Sequence, residues 1–233
     1  MLSRSVDHHT MASVDIKGDA ADSDAFWPAA QLQLWAAAEK GDREGVQKAM
    51  AAQEQDDAEC TARANRMGWT ALHRAAMGGS AECVQMLLAV PACAQLIDAK
   101  DNSGCTALHI ACGLGHAAAV RALLVAGASA KAVTAEEART PMHFACQGLS
   151  TSDEPSGHTV IILMLLAAGG LIEAADSNGI LAIQLARQDQ LPALLRRIKE
   201  HGERQAWREQ NQKGATGPAG ADGAADARWS TGK

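Results

Sequence analysis

The sequence predicts an all-α fold, a solenoid of stacked helix-turn-helix units joined by hairpin-like loops. Composition and a recurring motif both favour this fold class. Ala and Leu dominate the apolar residues, which make up 47% of the 233-residue chain, whereas aromatic residues make up 3%. Ala and Leu are strong helix formers, while the aromatic and β-branched residues favoured in strands are sparse. Small Ala side chains also let packed helices approach closely.

A nine-residue motif recurs three times along the chain. Its threonines, Thr70, Thr106 and Thr140, are 36 and 34 residues apart. A repeat of this length is typical of one helix-turn-helix unit that buries its apolar face only by stacking on its neighbours. The three copies are 68–76 (GWTALHRAA), 104–112 (GCTALHIAC) and 138–146 (ARTPMHFAC).

A pair of leucines follows each copy of the motif. The pair lies at 87–88 and 123–124 in the first two copies, 17 residues after the Thr, and at 165–166 in the third, eight residues later than that spacing. Removing 150–157 (STSDEPSG), a composition typical of loops, restores the spacing. We therefore expect an eight-residue insertion in the third copy.

Two weaker units bracket the three good copies. The unit at 34–42 keeps the Ala-Ala and Gly-Asp positions but has Trp35 where the His would lie. The unit at 178–186 has Leu181 in place of the Thr and Gln184 in place of the His. Terminal repeats are expected to be atypical because each has one neighbour and one face in water.

These motifs resemble those of the ankyrin-repeat family, whose signature T-P-L-H-x-A recurs with a period near 33. The closest copy here is 140–145 (TPMHFA). The resemblance covers 31–199, with an acidic, disordered leader expected over 1–30, and a helical extension followed by a disordered Gly/Ala-rich tail over 200–233. The expected repeats are 31–64, with an acidic insertion at 53–63, then 65–100, 101–134, 135–175 with the insertion 150–157, and 176–199.

The physical chemistry of one unit accounts for its residues. The motif Thr is expected to cap the first helix, and Pro141 falls at the first helical position, where no hydrogen-bond donor is lost. Leu72, Leu108 and Met142 are expected to point into the core. The paired small residues that follow keep the first helix thin enough for close stacking.

Charge and hydropathy exclude several function classes. The net charge is −6 and no segment carries a basic excess, so we expect no nucleic-acid partner. The longest apolar run, 160–168, is far shorter than the roughly 20 residues that span a bilayer, so we expect no membrane partner. Residues 1–24 lack a signal-peptide pattern. We expect a cytoplasmic protein, with the nucleus as an alternative, that is monomeric when free.

The recurring histidines have the chemistry of metal ligands or catalytic bases. His73, His109 and His143 occur once per repeat, and packed helices place successive repeats about 10 Å apart, too far to share one metal. The resemblance implies instead that each His braces its turn through hydrogen bonds to the backbone and the Thr. The six cysteines lack CxxC pairs and are expected to be reduced. With no catalytic motif, we expect no cofactor, no metal and no enzymatic activity.

The resemblance implies a protein-binding module that acts as an adaptor, scaffold or inhibitor through its concave face and hairpin tips. The alternative is an assembly chaperone or regulatory subunit of an enzyme complex. Arg66, Trp69, Arg74 and Arg139 are the favoured contacts, because Trp and Arg dominate interface hot spots. It stays open whether Trp69 only covers the neighbouring hairpin. The candidate residues are Arg66, Met67, Trp69, Arg74, Met77, Asn102, Ser103, Ile110, Leu114, Glu136, Glu137, Arg139, Phe144 and Gln147.

Overall fold

The computed structural model describes residues 29–51, 65–151, 156–186 and 191–214. Most of the expected leader, the acidic insertion 53–63 and the tail beyond 214 lie outside these ranges. The chain divides into two compact units after Arg187. The first unit contains the first four expected repeats and the beginning of the fifth, 176–199. The second unit contains one long helix, Leu191–Gly214, which begins within the range expected for the fifth repeat.

The repeats are built from pairs of helices, as predicted, and an isolated bridge between Ala175 and Leu181 is the only β pairing within the described ranges. In chain order the helices are α1 Ala29–Lys40, α2 Arg43–Ala51, α3 Ala71–Gly78, α4 Ala81–Leu88, α5 Pro91–Gln95, α6 Ala107–Gly113, α7 Ala117–Val125, α8 Pro141–Thr151, α9 Ser156–Ala167, a 3₁₀ helix Ala182–Leu185, and α10 Leu191–Gly214.

The helices form two layers. The first helices of the repeats, α1, α3, α6 and α8 followed by the 3₁₀ helix, pack in sequence against one another, and the second helices, α2, α4, α7 and α9, do the same behind them. Among the described helices, the main contacts of each unit are therefore with its neighbours and within its own repeat, which is the arrangement of a solenoid.

The core lies between the two layers. Leu72, Leu108 and Met142 are buried, as expected, and the paired small residues beside them are buried too. Adjacent first helices are so close that a Cβ added at Gly78 on α3 would overlap the backbone oxygen of Glu39 on α1, in the preceding repeat. Small side chains on the first helices are therefore a requirement of stacking.

Half of the segment 150–157, residues 150–151 and 156–157, lies within the ends of two helices. Helix α8 runs to Thr151, and α9 begins at Ser156. Residues 152–155 lie outside the described part of the chain. Part of the extra length in this repeat thus lengthens its first helix, α8, relative to the first helices α3 and α6 of the two preceding repeats.

The fifth repeat keeps part of the turn geometry with different residues. Its first helix is the 3₁₀ helix, in which the Gln184 Oε1 accepts a hydrogen bond from the Leu181 backbone N–H at 2.9 Å. The amide oxygen therefore accepts from the backbone at the position where the other repeats place a histidine nitrogen.

Candidate functional site

Each motif histidine bridges two hairpins. The Nδ1 of His73 accepts from the backbone N–H of Thr70 at 3.1 Å and lies 2.9 Å from its hydroxyl, while Nε2 lies 3.1 Å from the backbone oxygen of Cys105 in the next hairpin. A carbonyl oxygen can only accept, so Nε2 carries the hydrogen and Nδ1 is the acceptor. The ring is therefore neutral, and it fixes the spacing of adjacent repeats.

The same bridge recurs at His109, with the oxygen of Arg139 at 3.1 Å, and at His143, with the oxygen of Ile180 at 3.3 Å. Burial lowers the pKa of all three rings, that of His109 to about 4. The implied bracing role is confirmed. Within the described ranges, no group of three or more His, Cys, Asp or Glu is arranged to hold a metal ion.

A second set of histidines, which the sequence reasoning did not assign, bridges the other end of the repeat. The Nε2 of His116 lies 3.0 Å from the backbone oxygen of Met77, and the Nε2 of His158 lies 3.2 Å from that of Gly113. Each of these histidines directly follows a glycine in the sequence, at 115–116 and 157–158. This recurring Gly-His pair is the sequence feature that could have indicated the second bridge.

The hairpin loops are shaped by a carboxylate or amide five residues before the Thr position. Asn65 Oδ1 accepts from two backbone N–H groups of its own hairpin, and Asp101 and Asp176 do the same in theirs. Such Asx turns are a common use of Asn and Asp in loops. The sequence carries this signal as Asn/Asp-x-x-Gly ahead of the motif, and the sequence reasoning missed it.

The hairpin tips are joined to one another by backbone hydrogen bonds, so that each tip donates to a carbonyl of the tip before it. This ladder holds the tips of four successive hairpins in one continuous row. The bonds run from Asn102 to Met67 at 3.0 Å, from Ala135 to Ser103 at 3.1 Å, and from Ser177 to Glu137 at 2.8 Å.

Six candidate residues lie at these tips, and all six are exposed. They are Arg66, Met67, Asn102, Ser103, Glu136 and Glu137, called the tip row below. Met67 is the largest exposed apolar side chain among them, at 44% of its full accessibility. The Asn102 side chain also donates to the backbone oxygen of Arg66 at 2.9 Å, which reinforces the first rung of the ladder.

Trp69 is half-buried and connects two repeats. Its indole N–H donates to Asp101 Oδ2 at 3.1 Å, and the Arg74 guanidinium lies 5.2 Å from the ring centroid. Arg74 in turn pairs with Glu39 at 2.6 Å. The side chain of Trp69 therefore covers the next hairpin, the alternative left open by the sequence, while part of it faces solvent.

Arg139 is similarly engaged. Its Nε donates to Asp176 Oδ2 at 3.2 Å, and its Nη1 lies 2.9 Å from Glu137 Oε2. Burial of the Asp176 carboxylate opposes its ionisation, but hydrogen bonds from the N–H groups of Ile180 and Asn178 and from Arg139 outweigh it, so its pKa lies below the usual value. Arg139 thus ties two hairpins together.

The remaining candidates lie on the first helices. Leu114 is the most exposed, at 49%, and the others are half-buried. Phe144 packs edge-on against the His109 ring, with centroids 5.2 Å apart. The half-buried residues of this set are Met77, Ile110, Phe144 and Gln147.

Cys112 and Cys146 are reduced thiols that lie buried in the core. Burial raises the pKa of Cys146 to about 12, and burial together with the Asp101 charge does the same for the half-buried Cys105. Thiols of this kind are poor nucleophiles, because the thiolate is the reactive form.

Comparison with known proteins identifies the repeat. A family model described as ankyrin repeats (3 copies) matches residues 34–134 and 92–172, which together span more than half of the chain. No curated protein matches the chain. Within the described ranges, no helix has the length and apolar character needed to cross a membrane.

Proposed function

Because the chain belongs to the ankyrin-repeat family, we propose that it is a non-catalytic module that binds a protein partner through the tip row and the adjoining first helices. Repeats of this family are generally protein–protein interaction modules and are typically non-catalytic. The proposed role is that of an adaptor, scaffold or inhibitor.

The observation that carries the proposal is the rigid backbone beneath the exposed tip side chains. Consecutive tips are linked by backbone hydrogen bonds of 2.8–3.1 Å, whereas the six side chains they present face solvent. Binding costs less conformational entropy when the contacting groups are already ordered. The tip row therefore offers a partner a pre-organised surface.

The charges of the tip row favour a polar partner surface with a defined orientation. Arg66 lies at one end, Asn102 and Ser103 lie in the middle, and Glu136 and Glu137 lie at the other end. A partner with acidic groups facing Arg66 and basic groups facing the two glutamates would complement this arrangement. Such complementarity sets orientation and association rate more than affinity.

Trp69, Arg74 and Arg139 are better described as positioning residues in this proposal. Each is engaged with a neighbouring repeat through Asp101, Glu39 or Asp176. Replacing them would alter the spacing of repeats as well as any partner contact. A test of binding should therefore replace side chains that make no contact with a neighbouring repeat.

Arg66→Ala, Met67→Ala and Glu136→Ala together form the appropriate test variant. All three side chains are exposed, and the links between tips use only backbone atoms of these residues, the oxygens of Arg66 and Met67. The full-length tagged chain and the variant would be used to capture partners from cell extract, with quantitative mass spectrometry as the readout. We expect at least a roughly tenfold loss of the partners specific to the wild type, as for truncation of interface contacts.

The matched control is Gln47→Ala with Lys48→Ala, which truncates two exposed residues on α2 outside the tip row. Circular dichroism and the thermal midpoint should be unchanged in both variants. Full retention of partners by the triple variant, or an equal loss in the control, would contradict the assignment of the site.

A further inference from the structure

The solvent side of the second helices is unusually apolar in the third and fourth repeats. Helix α7 (AAAVRALLV) has one charged residue, Arg121, and 157–168 in the α9 region has none. Helix α2 (REGVQKAMA), in contrast, turns Arg43, Glu44, Gln47 and Lys48 to solvent. A surface helix normally has a polar outer face, whereas a helix that is apolar all round is covered.

A groove lies on this side, between α4 and α7. Its volume is about 740 Å³, and most of its lining is Ala, with few polar atoms. The side chains that shape it are Gln85, Leu88 and Ala89 from the α4 side, and Ala118, Arg121 and Val125 from α7.

The walls of the groove expose apolar surface that the fold leaves uncovered. Val125 keeps 84% of its accessibility, the largest fraction among the exposed large apolar side chains, and Ala89 and Ala118 are exposed as well. Ala walls leave an open trough, and small residues allow another helix backbone to approach closely. Exposed apolar side chains that lie together on one surface are candidates for contact with another protein.

Arg121 supplies the charge argument. Among the described residues, it is the only titratable one that lines the groove, it is exposed, and it forms no ion pair. A cation at the edge of an apolar trough fits an apolar segment that carries one carboxylate. Two copies of this chain packed groove to groove would instead bring their Arg121 side chains together, which disfavours a dimer of that kind.

We propose that the groove between α4 and α7 binds an amphipathic helix of a partner protein, with a carboxylate of that helix paired to Arg121. The apolar face of the helix covers Val125, Leu88 and the Ala walls. Helix-in-groove recognition of this type uses apolar anchors at positions i, i+3, i+4 and i+7. This surface is formed by the second helices and is separate from the tip row, so the chain can bind through both.

Selection from a phage-displayed library of 18-residue amphipathic helical peptides, against the immobilised full-length chain, tests the proposal. The best peptide is then synthesised with Glu, Gln or Lys at its central polar position, and the affinity of each is measured by fluorescence anisotropy. We expect the Glu peptide to bind at least about threefold more tightly than the Lys peptide, as for an exposed ion pair, and Arg121→Glu to reverse this order.

Val125→Lys should weaken the Glu peptide at least about tenfold, because it places a charge where the apolar face docks. Lys48→Glu on α2 is the matched charge control and should have no effect, and the Arg66, Met67 and Glu136 triple variant should also bind normally. The proposal is overturned if selected peptides are insensitive to Val125→Lys, or if their affinity does not follow the charge at 121. If analytical ultracentrifugation detects a dimer that Val125→Lys abolishes, the groove is occupied by a second copy of the chain, and the proposal is also overturned.

Discussion

The His109 bridge makes a quantitative prediction about acid stability. His109 is buried and neutral, with Nδ1 accepting from Thr106 and Nε2 donating to Arg139. In the unfolded chain the ring has an ordinary pKa of 6.5, and in the folded chain burial lowers that pKa to about 4. The unfolded state therefore binds more protons between these values, so the stabilising contribution is fully present above pH 6.5 and declines as the pH falls towards 4.

The size of the effect follows from this difference in pKa. Between pH 7 and pH 5, linkage predicts that His109 alone lowers the free energy of unfolding by about 2 kcal/mol. His73, His143 and His158 also have lowered pKa values because of burial, so each acts in the same direction.

The substitution His109→Gln isolates this contribution, because the fifth repeat already uses Gln184 to accept the equivalent backbone N–H. The variant should be less stable than the wild type at pH 7 by about 1–2 kcal/mol, through the lost bond to the next hairpin. Between pH 7 and pH 5, the free energy of unfolding of the variant should fall by about 2 kcal/mol less than that of the wild type. Urea unfolding followed by circular dichroism at both pH values measures this difference.

Gln47→Ala, at an exposed position on α2 away from the histidine bridges, serves as the control and should leave the pH dependence unchanged. If His109→Gln and the wild type lose the same stability between pH 7 and pH 5, the buried neutral bridge at His109 is refuted.

Three further substitutions or treatments test the hairpins. Gly104→Ala should lower the free energy of unfolding by more than about 2 kcal/mol, because its φ is +78° and a Cβ would overlap the Ala135 backbone nitrogen; an unchanged urea midpoint would contradict this. Ala138→Gly should raise the free energy of unfolding by about 0.5 kcal/mol, because relief of backbone strain at φ 50° outweighs the added freedom of the unfolded chain. A lower urea midpoint would contradict this prediction. The pKa of Cys105 is raised to about 12, so its thiol should react with iodoacetamide at pH 8 at least about a hundredfold more slowly in the folded chain than in the chain unfolded in urea. Mass spectrometry measures both rates, and equal rates would contradict this prediction.

The fold could be predicted from the sequence because stacking constrains the same positions in every repeat. Thr70, Leu72 and the small residues after them recur at a fixed spacing, and the structure gives them the N-cap and core positions expected of them. The bridging role of His73 was implied by the family resemblance, and its hydrogen bonds agree with it. Degenerate residues at the ends were informative too, since Gln184 replaces one function of the histidine.

The partners of individual surface side chains could not be predicted in the same way. Trp69 and Arg74 suggested free contact residues, but their partners, Asp101 and Glu39, lie 32 and 35 residues away in the chain. Contacts between adjacent repeats depend on geometry that the period alone does not specify. The carboxylate of Asp101, in contrast, was visible in the sequence as a recurring turn signal.

Site-specific photo-cross-linking tests the central claim most directly. A photoreactive amino acid replaces Met67 or Glu136 in the tip row, or Gln47 on α2 as the control, in the otherwise unchanged full-length chain. If the tip row binds the partner, irradiation in cell extract yields the same cross-linked protein from both tip positions and little or none from position 47. Equal capture from position 47, or no common product from the two tips, would contradict the account.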